Sequence, residues 1–233
     1  MIYITGDVHR DFDRVFGFCE RRQTSKEDIL IILGDAGINY YLNELDVTLK
    51  QFVQSLPITV FCIHGNHEQR PYMIDGYKEM QWHGGTVYAE EEYPSILFAK
   101  DGEIYDIAGK TAIAIGGAYS VDKYYRLMRG WNWYDTEQPS EEIKTYVKQK
   151  LDSVNWKVDY VLSHTAPLKY EPTEVFLIGI YQSRVDKSTE EWLGEIEAKL
   201  DYEKWFCGHY HTSKKIDRIQ MMFTDYDILE KSE

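Results

Sequence analysis

No apolar run in this sequence is longer than about eight residues, well short of the roughly twenty that a membrane-crossing helix requires. Basic runs are scarcer still, with nothing longer than Glu20-Arg21-Arg22 or Ser213-Lys214-Lys215, and the formal net charge is −13. A protein that gripped duplex nucleic acid by bulk electrostatics would be basic, so no stable duplex partner is expected. There are only three cysteines, Cys19, Cys62 and Cys207, odd in number and each in an apolar setting. That usage excludes a disulfide framework and predicts buried free thiols in a reducing cytoplasm. Proline is sparse at six residues, and no repeat or low-complexity stretch interrupts the chain. The opening Met1-Ile2-Tyr3-Ile4-Thr5 enters a strand-like run at once, so no secretory leader is expected.

What is present is ordinary globular material. The 233 residues are 43% hydrophobic, 28% charged and 15% aromatic, enough to bury a core without staples. A single domain over 1–233 is expected. Short apolar runs bounded by glycine read as buried strands, and five of them end alike. The first, residues 2–5, leads into Gly6-Asp7-Val8-His9, and the second, 28–33, into Gly34-Asp35. The third, 58–64, leads into Gly65-Asn66-His67-Glu68, the fourth into His164, and the fifth, 204–207, into Gly208-His209-Tyr210-His211. Helical segments are predicted between them at 12–22, 45–55, 140–154 and 189–200. Strands alternating with helices predict an α/β sheet.

In such sheets ligands gather at the carboxyl ends of the strands. Two aspartates, one asparagine and five of the seven histidines fall there. Imidazoles, carboxylates and an amide oxygen form a mixed nitrogen and oxygen donor set suited to divalent Mn, Fe or Zn. The glycines let the backbone turn so that the next side chain points inward. One Gly-Asp pair carries no information; five such endings in order predict a metal site.

The set Gly-Asp-X-His, Gly-Asp, Gly-Asn-His-Glu, lone His and Gly-His-X-His resembles the calcineurin-like metallophosphoesterases, and it runs from Asp7 to His211. The resemblance implies two mixed β-sheets packed as a sandwich with flanking helices. It implies one metal ion on Asp7, His9, Asp35 and His211, and a second on Asp35, Asn66, His164 and His209, with Asp35 shared. Two cations about 3.5–4 Å apart need such a common anionic ligand. The activity implied is hydrolysis of a phosphomonoester or phosphodiester of a small molecule or nucleotide. A metal-bound hydroxide would attack, and His67 would protonate the leaving oxygen. Two divalent ions would leave the site net positive despite the charge of the whole chain.

The second motif departs from the phosphoprotein-phosphatase branch, because Ile38 and Asn39 stand where that branch carries an Asp and an Arg. The Gly-His-X-His ending is more similar to phosphodiesterase-type branches. The alternatives are a phosphoprotein phosphatase and a non-catalytic scaffold of the same fold that binds a protein partner. With that arginine missing, Arg10 and Arg70 are the candidates to hold phosphate. The segment 116–140 is rich in aromatics without a clear period and predicts a long irregular loop. Tyr124, Tyr125, Trp131 and Trp133 could stack on a nucleobase; alternatively they pack onto the core or bury a contact between two copies of the chain. Its leading strand is similar to strands of bacterial and phage phosphoesterases. Glu68 is expected to buttress its turn, His64 to lie in the core or just behind the site, and His83 to occupy a turn. The tail from Lys214 onward alternates like a closing hairpin.

Overall fold

The structure is a computed structural model and describes residues 1–230. Among the described residues, thirteen strands form two sheets. The first contains β1 (Ile2–Thr5), β2 (Ile29–Ile32), β3 (Thr59–Cys62), β4 (Tyr77–Trp82), β5 (Gly85–Glu90), β6 (Ile96–Ala99) and β13 (Tyr226–Glu230), in the order β13-β1-β2-β3-β6-β5-β4. The second contains β7 (Ile104–Ile107), β8 (Lys110–Ile115), β9 (Tyr160–Ser163), β10 (Lys204–Cys207), β11 (Lys214–Ile216) and β12 (Ile219–Met221), in the order β11-β12-β10-β9-β8-β7. The centre of each sheet is parallel, β1-β2-β3-β6 in one and β8-β9-β10-β12 in the other, with antiparallel strands at the margins. Both sheets are therefore mixed, and they pack face to face as the family resemblance implies.

Alternation along each strand assigns its residues to layers. Ile4, Ile31, Phe61 and Leu97 lie in one register row of the first sheet and face Ala114, Leu162 and Phe206 of the second. The intervening Tyr3, Leu30, Ile32, Val60 and Cys62 point the other way, against α1 (Phe12–Arg22) and α2 (Glu44–Ser55). Ile113, Ile115, Val161, Trp205 and Cys207 do the same on the second sheet against α4 (Glu141–Ser153) and α5 (Ser188–Glu197). A strand buried on both faces has no polar side to show, which is why these runs read as continuous apolar stretches.

Helices α2 and α4 begin at polar caps: Asn43 accepts from Leu45 N at 2.9 Å for α2 and Ser140 from Ile143 N at 3.3 Å for α4, each satisfying an N–H that the first turn leaves open. All three cysteines are buried and free. No helix among the described residues is long and apolar enough to cross a membrane.

Two expectations are revised. The segment 116–140 is not wholly irregular: α3 (Lys123–Arg129) occupies its middle and ends on Gly130 in the left-handed region at φ 66°. Residues 214–221 do form a hairpin in the second sheet, but β13 crosses to the first sheet and pairs antiparallel with β1. Residues 231–233 of that tail lie outside the described residues.

Candidate metal centre

The two parallel blocks aim their carboxyl ends at one place. Asp7 and His9 follow β1, Asp35 follows β2, Asn66 and His67 follow β3, His164 follows β9, and His209 and His211 follow β10. Four of these side chains are carried by a backbone that turns sharply. His9, Asp35, His209 and His211 have φ of 46°, 47°, 68° and 49°, a left-handed conformation that costs a non-glycine residue roughly 1–3 kcal/mol and persists where surrounding structure imposes it. The glycine at 65 has a different purpose from an easy turn: a Cβ there would overlap Asp35 Oδ1, and one at Gly208 would overlap Asp7 Oδ1. These glycines make room for the carboxylates.

The donor atoms form two groups. His9 Nε2 and His211 Nε2 face each other at 2.9 Å, with Asp7 Oδ2 at 3.6 Å from the first and 3.3 Å from the second, and Asp35 Oδ2 at 3.6 Å from His9. In the other group, Asn66 Oδ1 lies 2.8 Å from His164 Nε2 and 3.0 Å from His209 Nδ1, while Asp35 Oδ1 is 3.6 Å from His164 Nε2. Asp35 thus offers one oxygen to each group. Asp7, Asp35 and His164 also lie within mutual ligand distance, so Asp7 sits near both.

Several contacts fix which atoms point inward. His164 Nδ1 is 2.8 Å from Leu33 O; donating there leaves the Nε2 lone pair for the site. His209 N donates to Asp7 Oδ1 at 2.8 Å, and buried Asp7 Oδ2 has no hydrogen-bond partner. Asn66 Nδ2 donates to Ser120 Oγ at 2.9 Å, which turns its Oδ1 toward the imidazoles. Acceptors facing acceptors in a buried cluster, with an unpartnered carboxylate oxygen among them, fit divalent cations and nothing apolar.

Electrostatics agree. Burial opposes ionisation of Asp7, yet the imidazoles of His211 and His9 beside it hold its carboxyl well below the usual range. Burial likewise opposes a charge on His9, but Asp7 and Asp35 outweigh it and raise the imidazole to about 9; the same field favours any bound cation. Burial and His164 push His209 down to about 3, leaving it neutral with a lone pair to give. Glu68 is fully buried and accepts from Gly65 N at 3.2 Å and Gly37 N at 3.1 Å, buttressing two of the loops, and burial together with Asp35 raises it to about 8.

His67 stands at the mouth of the centre. Its ring meets His9 edge-on at 5.1 Å, its N donates to Asp35 Oδ1 at 2.8 Å, and its Nε2 is 3.8 Å from Asp122 Oδ1. Asp122 was not singled out in the sequence. Four residues on, buried Arg126 reaches Ser120 Oγ at 3.2 Å and sits 3.8 Å from Asp122 Oδ1. An acid and a base spaced i and i+4 in the 116–140 segment thus stand behind His67, although Arg126 itself does not line the cavity. That spacing was visible in the sequence; nothing marked its position beside His67.

The expected phosphate and base contacts are not where the sequence put them. Arg10 is not in the cavity: its guanidinium is taken by Asp46 Oδ1 at 2.5 Å, Gly37 O at 2.8 Å and Leu45 O at 2.9 Å. Arg70 is buried against Asp101 and donates to Thr136 O at 2.7 Å. Tyr124, Tyr125 and Trp131 are exposed and line no part of the cavity. Trp133 is turned away too, giving its Nε1–H to Glu137 Oε2 at 2.7 Å under Lys123 Nζ, 3.8 Å from its ring. Local carboxylates captured the arginines and Trp133, and α3 faces its aromatic residues outward. The aromatic lining comes instead from Tyr119, Phe176 and Tyr210. His64 is buried behind the Asn66 turn, and His83 is in the turn between β4 and β5 with Nδ1 2.9 Å from Asp106 O.

A two-sheet sandwich with paired His/Asp clusters at its strand ends defines the metallophosphoesterase class. The chain's residues 1–213 match the model of the calcineurin-like phosphoesterases, and the chain belongs to that family. Among solved structures it is similar in fold to TT1561 of Thermus thermophilus, at 9% identity over 95% of this chain and 87% of that one, with a TM-score of 0.52. It is likewise similar to the phosphopantetheinyl hydrolase PptH from Mycobacterium tuberculosis, at 13% identity over 95% and 87% of the two chains and the same TM-score of 0.52. At these identities the likeness concerns the fold alone. No curated protein matches the sequence.

Proposed function

We propose that this chain is a two-metal phosphoesterase acting on a phosphomonoester or phosphodiester of a small molecule. The observation that carries this reading is the division of Asp35, with Oδ2 toward His9 and Oδ1 toward His164. One group comprises Asp7, His9, Asp35 and His211, and the other Asp35, Asn66, His164 and His209. Divalent ions held there would supply Lewis-acid polarisation of the phosphoryl group and a water activated near neutral pH. Manganese, iron and zinc all suit the donors.

The chain's own residues do the rest. Asn66 is oriented by Ser120, and His164 by Leu33 O, so both present their donors before substrate arrives. His67, at the cavity and partly exposed, is placed to hand a proton to the departing oxygen. Asp122 and Arg126 act as its positioning pair, in place of the residues found in the phosphoprotein-phosphatase branch. No lysine or arginine lines the cavity among the described residues, so recognition of phosphate falls to the centre itself. Three buried free thiols fit a reducing, cytoplasmic setting.

The deciding experiment compares the native chain with Asp35→Asn, both stripped and reloaded with manganese. Metal content by mass spectrometry and hydrolysis of p-nitrophenyl phosphate and its bis ester are measured. Metal occupancy and activity are expected to fall together, activity by at least about 100-fold. A variant that keeps two ions and full turnover would remove the shared-ligand assignment.

A further inference from the structure

The cavity, metal centre included, has a volume of about 380 Å³ and continues beyond His67 and His209; that is near the small end for a small-molecule site. One wall is apolar: Val175, Phe176, Leu177, Ile180 and Val185, all from the connection 164–187 between β9 and α5. Phe176 lies 20° from parallel to Tyr210, with ring centroids 6.4 Å apart. The charged lining on this side is entirely acidic. Glu171 is already paired with Lys187 at 2.6 Å, but Glu190 is not paired with any base. It is 4% exposed, its Oε1 accepts from Thr165 Oγ1 at 2.8 Å, and its Oε2 has no hydrogen-bond partner. Leaving a buried acceptor unmatched is unfavourable, and a bound molecule with a donor would remove that penalty.

We propose that this cavity holds the organic part of the phosphate ester, and that it selects a compact apolar or aromatic group bearing one hydrogen-bond donor, such as an amine or amide N–H, directed to Glu190 Oε2. The proposal rests on the two-metal reading and specifies its substrate class. A second phosphate is disfavoured here, because the lining offers carboxyls and no basic side chain to receive it. The apolar wall supplies affinity and the single carboxyl supplies orientation, the usual division in small-molecule sites. A sugar polyphosphate or nucleoside triphosphate fails on charge, and a bare alkyl phosphate leaves both the wall and Glu190 unused.

The test uses phosphonates, whose P–C bond a phosphoesterase does not hydrolyse. Methylphosphonate, benzylphosphonate and 4-aminobenzylphosphonate are titrated calorimetrically into the manganese-loaded protein at pH 8, and also run as competitors of p-nitrophenyl phosphate. Burial pushes the Glu190 carboxyl up to about 7, so pH 8 keeps it an acceptor. Benzylphosphonate is expected to bind about 10-fold tighter than methylphosphonate, and the amino compound several-fold tighter again. Phe176→Ala combined with Ile180→Ala should erase the first step. Glu190→Leu should erase only the second, and Glu190→Gln, which keeps an acceptor oxygen, should retain it. Equal binding of all three compounds would overturn the proposal while leaving the metal centre intact. A benzyl step without an amino step would overturn the role of Glu190. Failure of every phosphonate to bind protein that carries two manganese ions would instead overturn the phosphoesterase reading on which the proposal rests.

Discussion

At the five strand ends, side chains are held by the backbone; in the two long connections that arch over them, 116–140 and 164–187, they are held mainly by one another. Asp7, Asp35 and Glu68 are fastened by main-chain N–H groups, and His164 by a main-chain carbonyl. The connections rely on side-chain pairs, as in Arg126 with Ser120, Trp133 with Glu137 and Thr165 with Glu190. The first arrangement ties function to short contiguous strings, because a loop two to four residues long fixes both the turn and the ligand. The second ties function to single residues whose partners are scattered. Chemistry that must be placed to a fraction of an ångström sits on the former, and shape that must suit one substrate sits on the latter.

This contrast can be broken or sharpened by substitution. The largest effect is expected at His67: His67→Ala should lower kcat by roughly 10²- to 10⁴-fold while metal content stays at the native level. Loss of metal in that variant would make His67 part of the ligand frame and blur the division. Next comes the stability of the second connection's anchor. Burial raises the Glu190 carboxyl from its ordinary value of 4.5 to about 7. The neutral form is therefore favoured in the folded state, and its contribution is complete below about pH 4.5 and lost as pH rises through about 7. Urea unfolding at pH 5 and pH 8 should show a decline on the order of 3 kcal/mol from this group, and Glu190→Leu should remove that part of the slope. An identical slope in both proteins would place the titrating group elsewhere.

A smaller effect is expected from Asp122→Asn. It should reduce kcat about 10-fold with little change in KM and should move the alkaline limb of the pH–rate profile to lower pH, since Asp122 faces His67 Nε2. An unchanged profile would reduce Asp122 to packing. The smallest effect belongs to Trp131→Ala and Tyr124→Ala. Both residues are exposed, so turnover should change less than about 2-fold and stability by no more than about 0.5 kcal/mol. A large rise in KM for either would return the outer aromatic face to the substrate.

The same contrast explains what was legible in advance. Each candidate ligand could be singled out because an apolar run announces a strand and the residues after the glycine announce the turn. Arg10 shows the limit: it follows His9 directly, yet Asp46, far along the chain, claims its guanidinium. Asp122, Arg126 and Glu190 show the converse. Each lies in or beside a segment without a strong period, and its importance comes from what stands opposite in space. The short helix α3 was missed because seven residues hold barely two turns of pattern, too few for periodicity to be seen against background.

The distance along the chain between the two ends of the site has a kinetic consequence. His9 and His211 meet across 202 residues, and Gly6 N is bonded to Phe223 O while β13 closes on β1. Contacts of such long range form late and slowly. On a translating ribosome the first sheet gains its edge strand, and the donor cluster its last imidazoles, only after His211 and β13 have emerged. A metal ion held by the whole donor set would therefore be taken up only after that point. Until then the nascent chain carries half-built clusters of carboxylates and imidazoles.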